Sequence, residues 1–212
     1  MFRLVVFDLD GTLFDSAGAI LESLNLTFSE IGLGPYEWDR DIARFFGRPF
    51  VVWAETLLSE GGKYSEANVN RMAERMFGNY AVMGPKHSKL NPGALEALGG
   101  LKKKGIKLAV ATNMVGKDTK IFLSHFGLDG YFEKVCTISD VSKGKPDPGQ
   151  MKCILNEIKA KRNEVLMVGD SLTDVEFARN SGVRVALLDA PWNKSLKPDY
   201  RIKNLMEVLK IA

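Results

Sequence analysis

Short runs of apolar residues recur along the chain, and each run stops at a polar residue or a glycine. The first run, residues 4–7, stops at Asp8. A continuous apolar run of this length is typical of a strand that is buried on both faces of a parallel sheet. Four later runs share this character: residues 108–111, 135–138, 165–168 and 183–188. The pattern therefore predicts a parallel sheet of five strands.

Amphipathic stretches that are long enough for helices lie between these runs. They span residues 93–104, 117–126, 148–160 and 173–181. Gly105, Gly127 and Gly182 follow three of these stretches directly, and a glycine just past the last periodic residue is a common helix stop. Strands that alternate with helices of this length predict βαβ units, and hence a doubly wound, Rossmann-like α/β fold.

Residues 15–85 interrupt this alternation. Apolar residues recur there at helical spacing in two sets: Ile20, Leu21, Leu24, Phe28 and Ile31, then Val69, Met72, Met76 and Tyr80. Ser65 precedes the second set and suits a helix N-cap. No strand pattern is visible in the segment. We therefore predict an all-helical domain at residues 15–85, inserted into an α/β core that consists of residues 1–14 and 86–212.

The composition is that of an ordinary globular protein, with 45% hydrophobic and 26% charged residues. A net charge of +3 is too small to favour binding to nucleic acid or to a membrane surface. We find neither a signal-peptide pattern nor an apolar stretch near the roughly 20 residues of a membrane span. Cys136 and Cys153 lack C-x-x-C spacing and suit core thiols in a reducing compartment. We expect a cytoplasmic monomer or homodimer without nucleic-acid or membrane partners.

Polar side chains follow three of the predicted strands. In chain order they are Asp8 and Asp10, then Thr112 and Asn113, then Asp170. Ligands of open α/β sheets bind outside the carboxyl ends of the strands, so these side chains should meet at one edge of the sheet. Lys145 lies in the loop that opens the helix at 148–160 and can reach the same edge.

Three carboxylates at one edge would repel one another. At a separation of ~4 Å and an effective dielectric constant near 20, each pair costs about 4 kcal/mol. A hard divalent cation removes that cost, and Mg²⁺ prefers oxygen ligands of this kind. With Lys145 and Thr112, the cation would make a site for a dianion such as a phosphoryl group, and a carboxylate in line with phosphorus can attack it.

Four short motifs support this interpretation. They are Asp8-Leu9-Asp10-Gly11-Thr12-Leu13, Thr112-Asn113, Lys145-Pro146-x-Pro148 and Gly169-Asp170-Ser171-x-x-Asp174. The set resembles the four motifs of the haloacid dehalogenase superfamily, in the family's order, and covers nearly the whole chain outside residues 15–85. That segment resembles the helical cap of the family's first subclass. Residues 10–16 and 91–93 are similar to those of phosphoglycolate phosphatases.

The resemblance implies a catalytic role for each of five motif residues. Asp8 would be the nucleophile that forms an aspartyl-phosphate. Asp10 would protonate the leaving oxygen and would then activate the water that hydrolyses the intermediate. Thr112 and Asn113 would bind the phosphate, and Lys145 would neutralise its charge.

The resemblance also implies a Mg²⁺ site. Asp170 would bind the metal together with Asp8 and the backbone carbonyl of Asp10. Asp174, one helical turn after Asp170, would orient Lys145 or a metal-bound water. The aspartates of the chain would therefore serve both the metal and the phosphoryl chemistry.

The implied activity is Mg²⁺-dependent hydrolysis of a small phosphomonoester, either phosphoglycolate-like or a sugar phosphate. The cap would select the leaving group, and Arg48, within the sequence Gly47-Arg48-Pro49, would contact substrate. Asp10 disfavours a dehalogenase, which does not need it, and Lys63 is the single lysine in residues 15–85 that phosphonate hydrolysis could use. A β-phosphoglucomutase-like phosphotransferase, a pyrophosphatase and a non-catalytic phosphate-sensing module remain alternatives.

Overall fold

The computed structural model describes residues 1–45 and 48–212, which divide into two compact units. The core unit comprises Met1–Asp15 and Leu90–Ala212, and the helical unit comprises Ser16–Lys89. The predicted helical segment ends at residue 85. The unit ends four residues later because its last helix continues through Pro85 and stops only at His87.

Eight strands are present in the described residues. They are β1 (Leu4–Phe7), β2 (Phe14–Asp15), β3 (Lys89–Leu90), β4 (Lys107–Ala111), β5 (Lys134–Cys136), β6 (Val165–Gly169), β7 (Arg184–Leu188) and β8 (Tyr200–Ile202). Six of them form one parallel sheet in the order β5-β4-β1-β6-β7-β8. The central strand β1 is paired on both sides, with Val5 opposite Leu108 of β4 and Leu166 of β6. The predicted α/β fold class is confirmed.

Eight α-helices complete the described structure. They are α1 (Ala17–Ser29), α2 (Phe50–Glu60), α3 (Glu66–His87), α4 (Ala94–Lys103), α5 (Gly116–His125), α6 (Gly149–Ile158), α7 (Leu172–Ser181) and α8 (Val208–Ile211). The bounds of α4 to α7 lie within two residues of those that periodicity predicts. All four residues of β1 are fully buried, which explains its unbroken apolar run. In the described part of the chain, no helix has the length and apolar character of a membrane span.

Two parts of the predicted sheet are corrected by the structure. The strand predicted at 135–138 ends at Cys136, because the Thr137 hydroxyl accepts a hydrogen bond from the Ser139 N–H at 3.2 Å and so begins a 3₁₀ turn. The edge strand β8 was not predicted. It has only three residues, the middle one is Arg201, and so short a strand has too little apolar pattern to be recognised.

The helical unit packs its three α-helices around a separate apolar core. Of the apolar residues at helical spacing, Leu24, Phe28, Val69, Met72 and Met76 are buried there, and Ile20, Leu21 and Ile31 pack against them while partly buried. The Ser65 hydroxyl caps α3 as predicted, by accepting a hydrogen bond from the Asn68 N–H at 3.1 Å. A π-helical turn, Trp38–Ile42, and a 3₁₀ turn, Ala43–Phe45, precede α2. Apart from Lys89, no described residue of the unit lies in a strand.

Candidate active site

Asp8 and Asp170 follow two neighbouring strands at the carboxyl edge of the sheet. Phe7 of β1 and Val168 of β6 are register partners. The Asp8 N–H donates to the Val168 carbonyl at 2.9 Å, which extends the ladder by one hydrogen bond. After β1, the next strand of this sheet is β4, which lies on one side of the β1–β6 pair. After β6, the next strand is β7, which lies on the opposite side of the pair. The two aspartates therefore flank the switch point at which ligands of such sheets bind.

Lys145 joins this edge through two short ion pairs. Its Nζ lies 2.7 Å from Oδ1 of Asp8 and 2.7 Å from Oδ1 of Asp174. The lysine side chain is only 3% exposed, so its charge requires partners of this kind. Burial alone would lower the pKa of the Lys145 ammonium, but the charges of Asp174 and Asp8 outweigh burial and raise that pKa. The lysine is therefore a fixed positive charge at neutral pH.

The two strand-end aspartates hold their protons more tightly than free aspartate does. Burial, followed by repulsion from Asp174, raises the pKa of Asp8 to about 7, although the Lys145 ammonium opposes the shift. Burial and the charges of Asp174 and Asp8 raise the pKa of Asp170 well above its ordinary value. Both shifts have the same physical origin, which is negative charge crowded into a buried site.

Asp174 is fully buried, and the protein engages both of its carboxylate oxygens. Oδ1 accepts from Lys145. Oδ2 accepts from the Ser171 hydroxyl at 2.6 Å and from the backbone N–H groups of Ser171 and Asp170, each at 3.2 Å. The bond from the Ser171 N–H, with the reciprocal bond from the Asp174 N–H to the Ser171 hydroxyl, forms the capping box of α7, and together these contacts fix the carboxylate. Of the two roles that the resemblance implies for Asp174, this geometry corresponds to orienting Lys145.

The loop after Asp8 carries Asp10, which is half-buried, and passes directly against Asp170. Gly11 has a φ of +82°, and a Cβ at this position would overlap the Asp170 carboxylate, so only glycine fits there. The next residue, Thr12, donates its hydroxyl to Oδ1 of Asp170 at 2.8 Å. The Gly11 N–H donates to the Phe14 carbonyl at 2.8 Å, which closes the loop.

Thr112 and Asn113 follow β4, as predicted, but their contacts differ. Thr112 is buried, and its hydroxyl accepts from the Met114 N–H at 3.1 Å. Asn113 directs its side chain to the backbone of Lys145: Nδ2 donates to the Lys145 carbonyl at 3.0 Å, and Oδ1 accepts from the Lys145 N–H at 2.8 Å. The prediction for Asn113 was phosphate binding, and these hydrogen bonds to the Lys145 backbone were not predicted.

Two residues that were not predicted from the sequence also form hydrogen bonds with Asp170. The Trp192 indole N–H lies 3.1 Å from Oδ2 of Asp170, and the Asn193 amide donates to the Asp170 carbonyl at 2.7 Å. Asn193 is fully buried and also donates to the Leu188 carbonyl at 2.7 Å. Both residues follow the end of β7. The strand-end rule points to this loop, but it would select Asp189, directly after β7, rather than residues four and five positions beyond the strand.

Arg48, the predicted substrate contact, belongs to the helical unit. It is exposed, and its carbonyl accepts a hydrogen bond from the Trp53 indole N–H at 3.2 Å. Its neighbour in the predicted contact sequence, Gly47, lies outside the described residues. Contact between Arg48 and substrate stays a prediction.

The carboxylates of the edge fit a hard divalent cation. Asp8, Asp170 and Asp174 each offer an oxygen, and the three atoms lie within 4.8 Å of one another. Among the described residues, Lys145 is the cation that forms ion pairs with this cluster. Fully ionised, the three carboxylates and the Lys145 ammonium would carry a net charge of −2. The Asp174 carboxylate already accepts four hydrogen bonds, whereas that of Asp170 accepts two, so Asp8 and Asp170 are the carboxylates with lone pairs left for a cation such as Mg²⁺.

The raised pKa of Asp8 predicts how the stability of the metal-free protein depends on pH. Between the ordinary value of 3.8 and about 7, Asp8 of the folded protein binds a proton that the unfolded chain has lost. This contribution to the free energy of unfolding is therefore full at low pH and falls as pH rises through about 7. Urea unfolding of chelator-treated protein across this window, beside Asp8→Asn, measures the effect. A wild-type decline no steeper than that of the variant would contradict the assignment.

The fold and the site define an α/β protein with a ligand site at the switch point of its sheet. Comparison with known proteins identifies the family. Residues 5–188 match the family model of the haloacid dehalogenase-like hydrolases, and the chain belongs to this family.

Individual relatives match over nearly the whole chain. A phosphoglycolate phosphatase of Agrobacterium fabrum is 32% identical over 94% of this chain and 87% of its own length. The pyrophosphatase PpaX of Halalkalibacterium halodurans is 27% identical over 98% of this chain and 95% of its own length. A crystal structure described as a predicted phosphoglycolate phosphatase of Haemophilus somnus has a TM-score of 0.87 at 26% identity, over 99% of this chain and 97% of that chain.

Proposed function

We propose that this protein is a Mg²⁺-dependent phosphatase that hydrolyses a small phosphomonoester through an aspartyl-phosphate on Asp8. The observation that carries the proposal is the cluster of Asp8, a buried lysine and two further buried carboxylates at the ligand-binding edge of the sheet. Membership of a hydrolase family supports it, as do relatives named as phosphoglycolate phosphatase and pyrophosphatase.

In the first step, a carboxylate oxygen of Asp8 attacks phosphorus, and the bond between phosphorus and the ester oxygen breaks. The ester oxygen takes a proton from Asp10, two residues further along the same loop, and leaves as an alcohol. Lys145, already 2.7 Å from Asp8 Oδ1, neutralises the phosphoryl oxygens. The Thr112 hydroxyl, which is held by the Met114 N–H, can donate to one of them.

In the second step, a water molecule attacks phosphorus and gives a proton to the Asp10 carboxylate. The bond between phosphorus and Asp8 breaks, inorganic phosphate leaves, and the Asp8 carboxylate is restored. Asp10 regains the proton that it lost in the first step, so the two steps balance. The nucleophile requires ionised Asp8, and the Lys145 ammonium favours that form.

Mg²⁺, when bound, would supply positive charge that neutralises the carboxylates and the phosphoryl group. Asp8 and Asp170 would hold it, together with the backbone carbonyl of Asp10. Thr12 and Trp192 keep the Asp170 carboxylate in place through bonds of 2.8 Å and 3.1 Å. Fixed carboxylates of this kind lose little conformational entropy when they bind a metal.

The helical unit would act as a cap that selects the leaving group, with Arg48 as a candidate substrate contact.

A second candidate substrate is inorganic pyrophosphate, which the similarity to PpaX favours. Phosphate is a better leaving group than an alcohol and needs less help from a general acid. Asp10→Asn should therefore impair pyrophosphate hydrolysis less than phosphomonoester hydrolysis.

Release of inorganic phosphate from a substrate panel tests the proposal. The panel contains p-nitrophenyl phosphate, 2-phosphoglycolate, pyrophosphate and sugar phosphates, each with Mg²⁺ and with excess EDTA. We expect release that requires Mg²⁺, with the fastest natural substrate defining the specificity. Undiminished activity after removal of metal by chelator would exclude the metal dependence. No release from any compound, with Asp8 nevertheless phosphorylated, would favour the phosphotransferase; without phosphorylation it would favour a phosphate-sensing module.

A further inference from the structure

Asn113 makes an unusual pair of hydrogen bonds for a side chain that was expected to bind phosphate. Its amide donates to the Lys145 carbonyl at 3.0 Å and accepts from the Lys145 N–H at 2.8 Å. Both polar atoms of the side chain are thus used on the backbone of one residue. Only an amide can do this, because a carboxylate lacks the donor and a hydroxyl cannot span both groups.

The loop around Lys145 is shaped to receive this amide. A Cβ at Gly144 would overlap Oδ1 of Asn113 and the side chain of Ile138, so the loop approaches Asn113 as closely as glycine permits. A second amide ties the same two segments together, because Gln150 Nε2 donates to the Thr112 carbonyl at 2.6 Å. The end of the rigid strand β4 therefore holds the segment that carries the lysine.

We propose that Asn113 is a positioning residue for catalysis, which acts through Lys145 and not on the phosphoryl group. The pair of hydrogen bonds fixes the backbone from which the Lys145 side chain extends, and so places its ammonium between Asp8 and Asp174. This inference rests on the proposed function, in which that ammonium neutralises the transferred phosphoryl group.

The two hydrogen bonds between the Asn113 side chain and the Lys145 backbone form a clamp. The geometry makes catalysis sensitive to this clamp. Lys145 Nζ contacts both carboxylates at 2.7 Å, and a shift of its backbone by about 1 Å would lengthen at least one of these contacts. Misplacement on this scale can cost about 100-fold in rate. Asn113 is itself exposed, so its removal should disturb the lysine more than the fold.

Two variants break the clamp from opposite sides. Asn113→Ala removes both hydrogen bonds, and Gly144→Ala leaves Asn113 intact but pushes its oxygen away. Asn180→Ala is the matched control: its amide donates to the Pro146 carbonyl at 3.0 Å, in the same loop but not to Lys145. We expect kcat/KM for p-nitrophenyl phosphate to fall about 10- to 100-fold in the two clamp variants, and less than about twofold in the control.

The Lys145 ammonium reports its position independently of turnover. In protein with ¹⁵N-labelled lysine, we expect a resonance of the buried ammonium that is absent from Lys145→Met. This resonance should shift or broaden in both clamp variants and persist in Asn180→Ala. Thermal unfolding checks that all variants are folded.

Separate outcomes would overturn the inference. Lost activity with an unchanged ammonium resonance would mean that Asn113 acts on substrate directly. A displaced resonance with wild-type kcat/KM would mean that the clamp does not serve catalysis. An equal loss of kcat/KM in Asn180→Ala would mean that activity depends on the order of the whole loop and not on the clamp. If no substrate is hydrolysed even by wild type, the proposed function fails, while the resonance still shows whether Asn113 positions Lys145.

Discussion

Replacing Asp8 with asparagine should abolish turnover and leave the protein folded. An asparagine amide cannot form the acyl phosphate, so the reaction loses its nucleophile rather than a supporting contact. Loss of a nucleophile typically lowers kcat by roughly 10⁴- to 10⁶-fold. Phosphate release from the best substrate of the panel measures the loss, and the absence of phosphate that alkali or hydroxylamine releases from the variant shows that no intermediate forms.

The fold should tolerate this change, because Asp8 is crowded by like charge. The variant removes repulsion from Asp174 and from Asp170, while Lys145 keeps its ion pair with Asp174 at 2.7 Å. We therefore expect a free energy of unfolding at neutral pH that is equal to that of the wild type or higher. Asp129→Asn, at an exposed position before β5 and so at the opposite edge of the sheet, is the control and should retain activity. Turnover near the wild-type rate in Asp8→Asn would refute the covalent mechanism.

The central sheet could be predicted from the sequence because burial on both faces leaves an unambiguous pattern. Every residue of β1 is fully buried, and its apolar run ends at the same position as the strand. The strand-end rule then places Asp8 and Asp170 together without any knowledge of side-chain conformation. Edge strands carry less of this signal: β8 has three residues, and the middle one is a charged arginine.

The contacts of the site were harder to predict, because they depend on how loops fold over one another. The residue type of Asn113 suits both phosphate binding and a backbone clamp, and only the approach of the Lys145 backbone distinguishes the two. Trp192 and Asn193 reach Asp170 from a loop 22 and 23 residues further along the chain, beyond any local pattern. The proton affinity of Asp8 likewise depends on burial and on distances that no sequence motif specifies.

The second large effect is expected from Lys145→Met, which removes the charge but keeps an unbranched side chain of similar length. Two buried aspartates then lose their cation, and breaking a buried ion pair in this way typically costs about 3–5 kcal/mol. Removing one electrostatic contact to the transition state lowers kcat by about 10²- to 10³-fold. Urea unfolding at neutral pH and phosphate release measure the two losses in the same preparation.

The loss of stability and the loss of kcat should both come from removing the charge of Lys145 and not from a disturbance of its loop. Lys143→Met, two residues earlier and exposed, is the matched control and should stay within about 0.5 kcal/mol of wild type. Because the Lys145 ammonium lowers the pKa of Asp8, Lys145→Met should raise that pKa above about 7, so the destabilisation should grow as pH rises above about 7 and stay nearly constant below it. A loss of stability that is the same at neutral and alkaline pH would mean that lost packing, not the unpaired carboxylates, is its cause.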